Sequence, residues 1–501
     1  MTKFQGHKLG LLLAIIFVLT FFGKLHLLNE RSTYIDPDEG YYLVLARNLY
    51  EGKGYTFNGL TNVSYPPFLP IAIGAVATLL GDYTFALNLI SALAGCLLSY
   101  VCYLLVLRRS PKLIAFFAAV LVLTAYQLNA FFPRLVPYTS ILYRGSELLG
   151  LLLVYLGFYF TLRFSHEQSP LDAFAAGSAF SLAYLTRPEA LVIFACATLF
   201  LAFCHFIKKR RLSKSALVAF FLGFALFALP YLCFLRSVLG CWRLTGKTEG
   251  KNFGQAMARV IEKDDWKAFS TIHYSFDEER LEMSSAFWGF NSSVPPLVTL
   301  ASQENLRANL RSLWRLPRTL FTPALFLLLP FGLALMWRRV KETDNVDDLL
   351  FLSLPLTSCV IILAAYPIPR HHLFWVPAAL CYSVEGLQYF SPTKKGVTLN
   401  RRTFLVGILL ILSIGSDYYH AWQANILNDR PIRSFHEMTA KIGAFLQKIK
   451  AKKVMSRLPD VAVRAKTDWQ VRPDVPMALL LKFARKKKVK FIELPIPLEP
   501  G

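Results

Sequence analysis

Three carboxylates fall within four residues at Asp36-Pro37-Asp38-Glu39. Closely spaced carboxylates suit general acid–base work, in which one deprotonates a hydroxyl while a neighbour orients it or the acceptor. A plain solvated acidic loop is the competing reading. The surroundings favour chemistry, because the run continues through Gly40-Tyr41-Tyr42, Ala46-Arg47 and Gly52-Lys53-Gly54-Tyr55 and then meets Tyr65-Pro66-Pro67-Phe68-Leu69-Pro70. Acids, aromatics, glycines and a proline pair thus share one loop. Pro37 holds Asp36 in extended geometry and turns it away from Asp38. Glu39 is placed to orient a base, to bind an acceptor, or to cap the helix that follows.

Further ionisable groups mark the ends of apolar segments. Glu147 follows Ser146 at the start of one, and Arg187-Pro188-Glu189 lies at a turn between two others. Charged groups at membrane depth are costly and tend to be functional, although Arg187 and Glu189 can equally satisfy each other as an internal pair. Arg370-His371 lies in a short loop between two apolar segments, either as a binding group or as a marker of the membrane edge. Asp36, Asp38 and Glu39 could hold a divalent ion, but no second ligand group is recognisable, so neither a metal nor a cofactor is expected.

The elements that must hold these residues are those of a membrane protein. Hydrophobic residues make up 54% of the chain and charged residues 17%, with mean hydropathy +0.42; this excludes an ordinary soluble globule. The formal net charge of +23 suits orientation by, and attachment to, anionic lipid. No module combining aromatic and basic residues in a nucleic-acid-binding pattern is visible, so no nucleic-acid partner is expected. Six of the eight cysteines (Cys96, Cys102, Cys196, Cys204, Cys359 and Cys381) fall inside apolar segments and read as small hydrophobes. Cys233 and Cys241 flank the outer end of one segment, where pairing is the lesser reading. Lys3 and Lys8 followed by apolar residues from Leu9, with no small-x-small cleavage site, read as an uncleaved signal anchor.

Apolar segments near 9–28, 84–107, 113–132, 147–163, 172–186, 190–207, 215–235, 320–337, 349–365, 373–390 and 403–420 make about eleven spans of bilayer length. With the N-terminus inside, the inner loops carry 18 Lys and Arg and the short outer loops 4, namely Arg134, Arg144, Arg187 and Arg370; the positive-inside rule favours that orientation. Were the apolar run from Pro67 to Gly81 also to cross, every later loop would invert. It is therefore expected to lie along the outer interface as a short helix. The fold class is thus an all-α polytopic membrane protein. Residues 1–420 form its transmembrane domain, with outer loops at 29–83 and 236–319, and residues 421–501 form a small extracytoplasmic α/β unit. In that tail a helix is expected from Ser434 to Lys450 and another from Pro476 to Lys486. Strands are expected at Lys453–Met455, Val461–Val463 and Val489–Leu494. The tail is strongly basic at Lys450, Lys452, Lys453 and Arg485-Lys486-Lys487-Lys488. That face reads as lipid-adjacent, or as a dock for an anionic acceptor or carrier.

The order of motifs resembles the C-type integral-membrane glycosyltransferases, in the branch containing the protein O-mannosyltransferases and the lipid A aminoarabinose transferases. The likeness rests on Asp38-Glu39-Gly40-Tyr41-Tyr42 with Ala46-Arg47, Gly52-x-Gly54-Tyr55 and Tyr65-Pro66-Pro67-x-x-Pro70. It continues in Ser146-Glu147-Leu148, Leu185-Thr186-Arg187-Pro188-Glu189-Ala190, Gly240-x-Trp242-x-Leu244-Thr245-Gly246-Lys247, and Pro369-Arg370-His371 ahead of Pro377. It covers most of the chain and is least specific in the tail.

The resemblance implies transfer of a sugar from a polyprenyl-phosphate donor to an envelope lipid, glycan or protein on the outer face of the inner or plasma membrane. Asp38 matches the family's Asp-Glu pair and would be the general base, with Asp36 as runner-up. The departing phosphate needs cationic or hydrogen-bonding partners, and Arg370 and His371 are the leading candidates. The chain departs from the family at Tyr65, where the aminoarabinose branch has a lysine that serves the carrier phosphate. It departs again at Arg370-His371, where the family has Arg-Tyr. Lys53, Lys247 or Arg370 would then compensate. A protein O-mannosyltransferase is the rival within this class, and a transporter or flippase of lipid-linked sugars the rival outside it. A transporter would be expected to show internal repeats and broken spans, and no such pairing is seen.

Overall fold

The computed structural model describes residues 3–30, 37–57, 60–127, 145–207, 212–246, 275–277, 282–284, 323–342, 347–351, 353–355, 374–390, 430–456, 460–472 and 477–492. Asp36, Lys247, Arg370 and His371 lie outside these residues, as do the expected span at 403–420 and most of that at 349–365. In chain order the elements begin with α1 (Lys3–Glu30), α2 (Pro37–Tyr50), β1 (Thr56–Phe57), β2 (Leu60–Thr61), α3 (Phe68–Leu80), α4 (Tyr83–Leu107) and α5 (Lys112–Gln127). They continue with α6 (Ser146–Glu167), α7 (Pro170–Tyr184), α8 (Ala190–Phe206), α9 (Lys214–Leu239), β3 (Ser275–Asp277), β4 (Glu282–Ser284), α10 (Pro323–Glu342) and α11 (Val376–Glu385). The tail adds α12 (Arg430–Lys448), β5 (Lys453–Ser456), α13 (Asp460–Ala465), β6 (Asp468–Val471), α14 (Met477–Lys486) and β7 (Phe491–Ile492). The protein is mostly helical. Among the described residues α4, α6 and α9 are long and apolar enough to cross a membrane.

The chain divides into two compact units. The first comprises Met1–Glu30, Asn88–Phe234 and Leu306–Asn428. Its helices are apolar on most faces, so small residues and polar clamps set how they pack. Ser169 caps α7 by accepting a hydrogen bond from the Asp172 amide at 3.2 Å, with Pro170 at the first helical position. Helices α7 and α9 approach through reciprocal glycines: a Cβ on Gly177 would lie 1.9 Å from the Phe220 carbonyl oxygen, and one on Gly223 2.3 Å from that of Phe174. Phe158, Phe180, Phe194 and Phe220 fill the space beside that crossing with edge and stacked contacts.

One end of this unit is closed by a balanced charge network. Arg109, just past α4, lies 3.2 Å from Asp348 and 2.7 Å from Glu385. Arg339 in the last turn of α10 lies 2.8 Å from each of the same two carboxylates. The Tyr382 hydroxyl also donates to Asp348 at 3.0 Å. Two guanidiniums against two carboxylates leave no net buried charge, and each fork bridges both acids.

The second unit comprises Arg31–Leu87, Leu235–Asn305 and Asp429–Gly501. Helix α3 has 13 residues, which at 1.5 Å per residue is about 20 Å, too short for a hydrocarbon core of about 30 Å. It ends at Gly81, whose φ of 76° suits a left-handed cap. In the tail, β5 lies between β6 and β7 in a three-stranded parallel sheet. The expected strand at Val461–Val463 is instead helical, within α13, and the strand is Asp468–Val471. The reason is local: Val461 and Ala465 lie four residues apart and bury one helical face, and Lys466 at φ 50° ends the turn.

Helix α2, from the acidic loop, shares its core with the tail. Tyr41, Val44 and Leu45 pack with Leu446, Val454, Val461, Ala462, Ala465 and Trp469. Arg47 donates to the Thr467 carbonyl at 2.7 Å.

Candidate functional site

The acidic motif forms the start of α2. Pro37 opens the helix, and Asp38 and Glu39 occupy its first turn. That arrangement is favoured locally, since proline has no amide to leave unbonded and acids complement the positive end of the helix dipole. Glu39 therefore lies inside the helix and is fully buried, whereas Asp38 is partly exposed. Asp38 is thus accessible from outside the unit, while Glu39 is held inside it.

Tyr65 completes the surroundings of Asp38. Its hydroxyl donates to Asp38 Oδ1 at 3.1 Å. Burial, and then the nearby Asp38 charge, hold the phenol pKa well above its ordinary value, so the group remains a protonated donor. The Tyr65 ring contacts those of Tyr41, at 5.5 Å between centroids, and Tyr42, at 5.1 Å. Its backbone is pinned as well: the Tyr65 carbonyl accepts from the Tyr55 hydroxyl at 2.8 Å and from the Asn62 side-chain amide at 3.1 Å. Close by in the chain, Gly246 packs against the Val63 backbone, where a Cβ would come within 1.9 Å of the carbonyl oxygen. Lys53 stands apart from this arrangement. Its ammonium lies 2.8 Å from both Asp468 and Glu51, so its charge is already matched at the surface of the unit.

The helical unit holds a second cluster of candidates. Arg187, in the turn just past α7, contacts Glu147 in the first turn of α6 and lies 3.0 Å from Glu189, the residue preceding α8. Arg187 and Glu147 are only 5% and 4% exposed, so solvent screens little of their interaction. Gly150, one turn along α6, lies against the arginine stem: a Cβ there would be in contact, 3.4 Å from Arg187 Cγ and Cδ. The guanidinium also stands over the Phe374 ring at 6.0 Å. Tyr155 ties the start of α11 to α6, accepting from the Ala378 amide at 2.8 Å and donating to the Phe374 carbonyl at 3.1 Å. The internal Arg187–Glu189 pair, one of the two readings of these residues, is present, and the structure adds Glu147 to it.

Sequence reasoning named Tyr65 but not the contact that makes it informative, and it missed Tyr41, Tyr42 and Trp469 as the packing around it. The consecutive aromatics after Glu39 were the available signal. Cys233 and Cys241 carry free thiols. Among the described residues no group of three or more His, Cys, Asp or Glu side chains is arranged to hold a metal.

Residues 64–234 match the family model described as dolichyl-phosphate-mannose-protein mannosyltransferase. The structure is similar to the oligosaccharyltransferase of Archaeoglobus fulgidus in its apo form, with TM-score 0.57 and 14% identity over 98% of this chain and 69% of that one. It is also similar to ArnT from Cupriavidus metallidurans bound to undecaprenyl phosphate, with TM-score 0.53 and 12% identity over 96% of this chain and 89% of that one. The fold is that of the C-type membrane glycosyltransferases. None of the curated proteins matches the chain in sequence. The likeness to the two solved structures is one of architecture, and that to the mannosyltransferase family is confined to the matched segment.

Proposed function

We propose that this protein transfers a sugar from a polyprenyl-phosphate donor to an acceptor hydroxyl on the outer face of the membrane, with Asp38 as general base. The observation that carries this is the setting of Asp38: a partly exposed carboxylate in the first turn of α2 that accepts a hydrogen bond from the Tyr65 hydroxyl, in a chain with a C-type glycosyltransferase fold. A base must be held and still be reachable, and both conditions are met. Asp36 is the alternative base. Glu39, buried beside Asp38, orients it or shapes the acceptor site.

The matched relatives support a lipid-phosphate donor: one solved structure holds undecaprenyl phosphate, and the family description names dolichyl-phosphate-mannose. The acceptor is an envelope lipid, a glycan or a protein. Protein O-mannosylation has a specific observation in its favour, the family match over residues 64–234. Supplying purified protein with polyprenyl-phosphate-linked labelled sugar, and separating lipid from protein products, tests the reading and divides the two acceptor classes. Failure to label any acceptor would count against it.

The eleven-span topology, with the N-terminus inside and the tail outside, belongs to this reading. Contacts within the helical unit support it by joining ends that the topology assigns to one side. Arg109, Arg339, Asp348 and Glu385 join at the inner ends, where His166 also meets Asp347 at 2.7 Å. Glu147, Arg187, Glu189 and Phe374 join at the outer ends. In a background without native cysteines, Thr61→Cys and Gln447→Cys should react with an impermeant thiol reagent applied outside, and Ser215→Cys should not. Labelling of Ser215→Cys from outside would overturn the orientation.

Arg370 and His371 are assigned to the carrier phosphate. Lys247 is the next candidate, whereas Lys53 is already engaged by two carboxylates. Arg370→Ala should raise the donor concentration needed for half-maximal rate far more than that of acceptor. Arg370→Lys should restore only part of the loss, because a point charge replaces a fork that grips two oxygens. Unchanged donor dependence in Arg370→Ala would remove this role.

A further inference from the structure

We infer that Tyr65 is a positioning residue for Asp38, and that the tail holds it there through Trp469 and Tyr41. This rests on the reading of Asp38 as the base and deepens it.

A phenol donating to a carboxylate oxygen at 3.1 Å fixes the carboxylate's rotation and stabilises its ionised form. Tyr65 is itself over-determined. Its carbonyl is held by Tyr55 and Asn62, and its ring packs against those of both Tyr41 and Tyr42. An aromatic so constrained has little rotamer freedom left to lose when it holds Asp38.

Tyr41 connects this arrangement to the tail. Its ring lies 5.8 Å from that of Trp469, which is buried, and whose indole N–H donates to the Ser456 carbonyl on β5 at 3.2 Å. The path from the sheet to the acid therefore runs from β5 to Trp469, Tyr41, Tyr65 and Asp38. Arg47 and Lys53 add a polar seam between the same parts, to Thr467 and Asp468. The tail is thereby part of the apparatus that aims the base.

Tyr65→Phe tests the inference because it keeps the ring and removes the donor. The expected result is a fall in kcat of about tenfold to a hundredfold, with donor KM and thermal stability unchanged. The acid limb of the pH–kcat profile should move to higher pH by roughly one unit, since the ionised carboxylate loses a stabilising hydrogen bond. In the double variant Asp38→Asn with Tyr65→Phe, the second substitution should add no further loss to the residual rate, as expected when one residue acts through the other. Trp469→Phe should lower kcat while leaving the acid limb in place, because it loosens the support and keeps the hydroxyl.

Unchanged kcat and acid limb in Tyr65→Phe would overturn the inference, even with Asp38→Asn inactive. A raised donor KM with kcat preserved would also overturn it and make Tyr65 a substrate contact. Full activity in Asp38→Asn would remove the reading beneath it.

Discussion

Asp38→Asn should reduce sugar transfer by roughly a hundredfold or more, the scale associated with a positioned general base. The amide keeps the shape of the carboxylate and can still accept from the Tyr65 hydroxyl, which lies 3.1 Å away in the native chain. Expression, folding and donor binding should therefore stay near normal, and the loss should fall on kcat. Initial rates against donor concentration, with a thermal melt of the same preparation, make the separation. If Asp38→Asn turns over normally and Asp36→Asn does not, the base is Asp36. If both remain active, the mechanism proposed for this loop is wrong.

The second large effect is expected at Arg187, and it is one of stability. The guanidinium stands between Glu147 and Glu189, with both arginine and Glu147 almost wholly buried. Arg187→Ala leaves two carboxylates without their shared partner, and breaking a buried pair from one side costs about 3–5 kcal/mol. Thermal inactivation in detergent or nanodiscs should shift down by several degrees. Arg187→Lys should recover part of it, because one ammonium cannot bridge both acids in the planar geometry of the fork. Donor dependence of the surviving folded fraction should change little. A variant of native stability that has lost donor binding would make Arg187 a ligand instead of a clamp.

These two sites show where the sequence was informative and where it was not. Local signals carried over well. Several apolar segments became helices of closely similar bounds, 84–107 as α4, 190–207 as α8 and 215–235 as α9 among them, whereas the acidic run that read as loop is the first turn of α2. The Arg187–Glu189 contact was legible because the two residues are two apart. Glu147 lies 40 residues from Arg187, and nothing in hydropathy or charge order pairs residues across such a distance. The same limit hid the tail's part in supporting α2, since Arg47 and Thr467 are 420 residues apart. Tyr65 read as a departure from a family pattern, because a motif shows which residue is replaced and not what the replacement touches. In the tail, Val461–Val463 resembled a strand by β-branched content alone. Alanines at 462 and 465 and the left-handed Lys466 made it a helical turn.

Transfer of a sugar out of a lipid-phosphate linkage can be followed in a sealed proteoliposome. Purified protein would be given a polyprenyl-phosphate donor with labelled sugar, together with solubilised envelope acceptors, and both products would be followed by mass. Free polyprenyl phosphate and an acceptor heavier by one sugar should appear in equal amounts, with both lost in Asp38→Asn. Movement of intact donor across the bilayer without cleavage, undiminished in Asp38→Asn, would contradict it and make the protein a transporter of lipid-linked sugars.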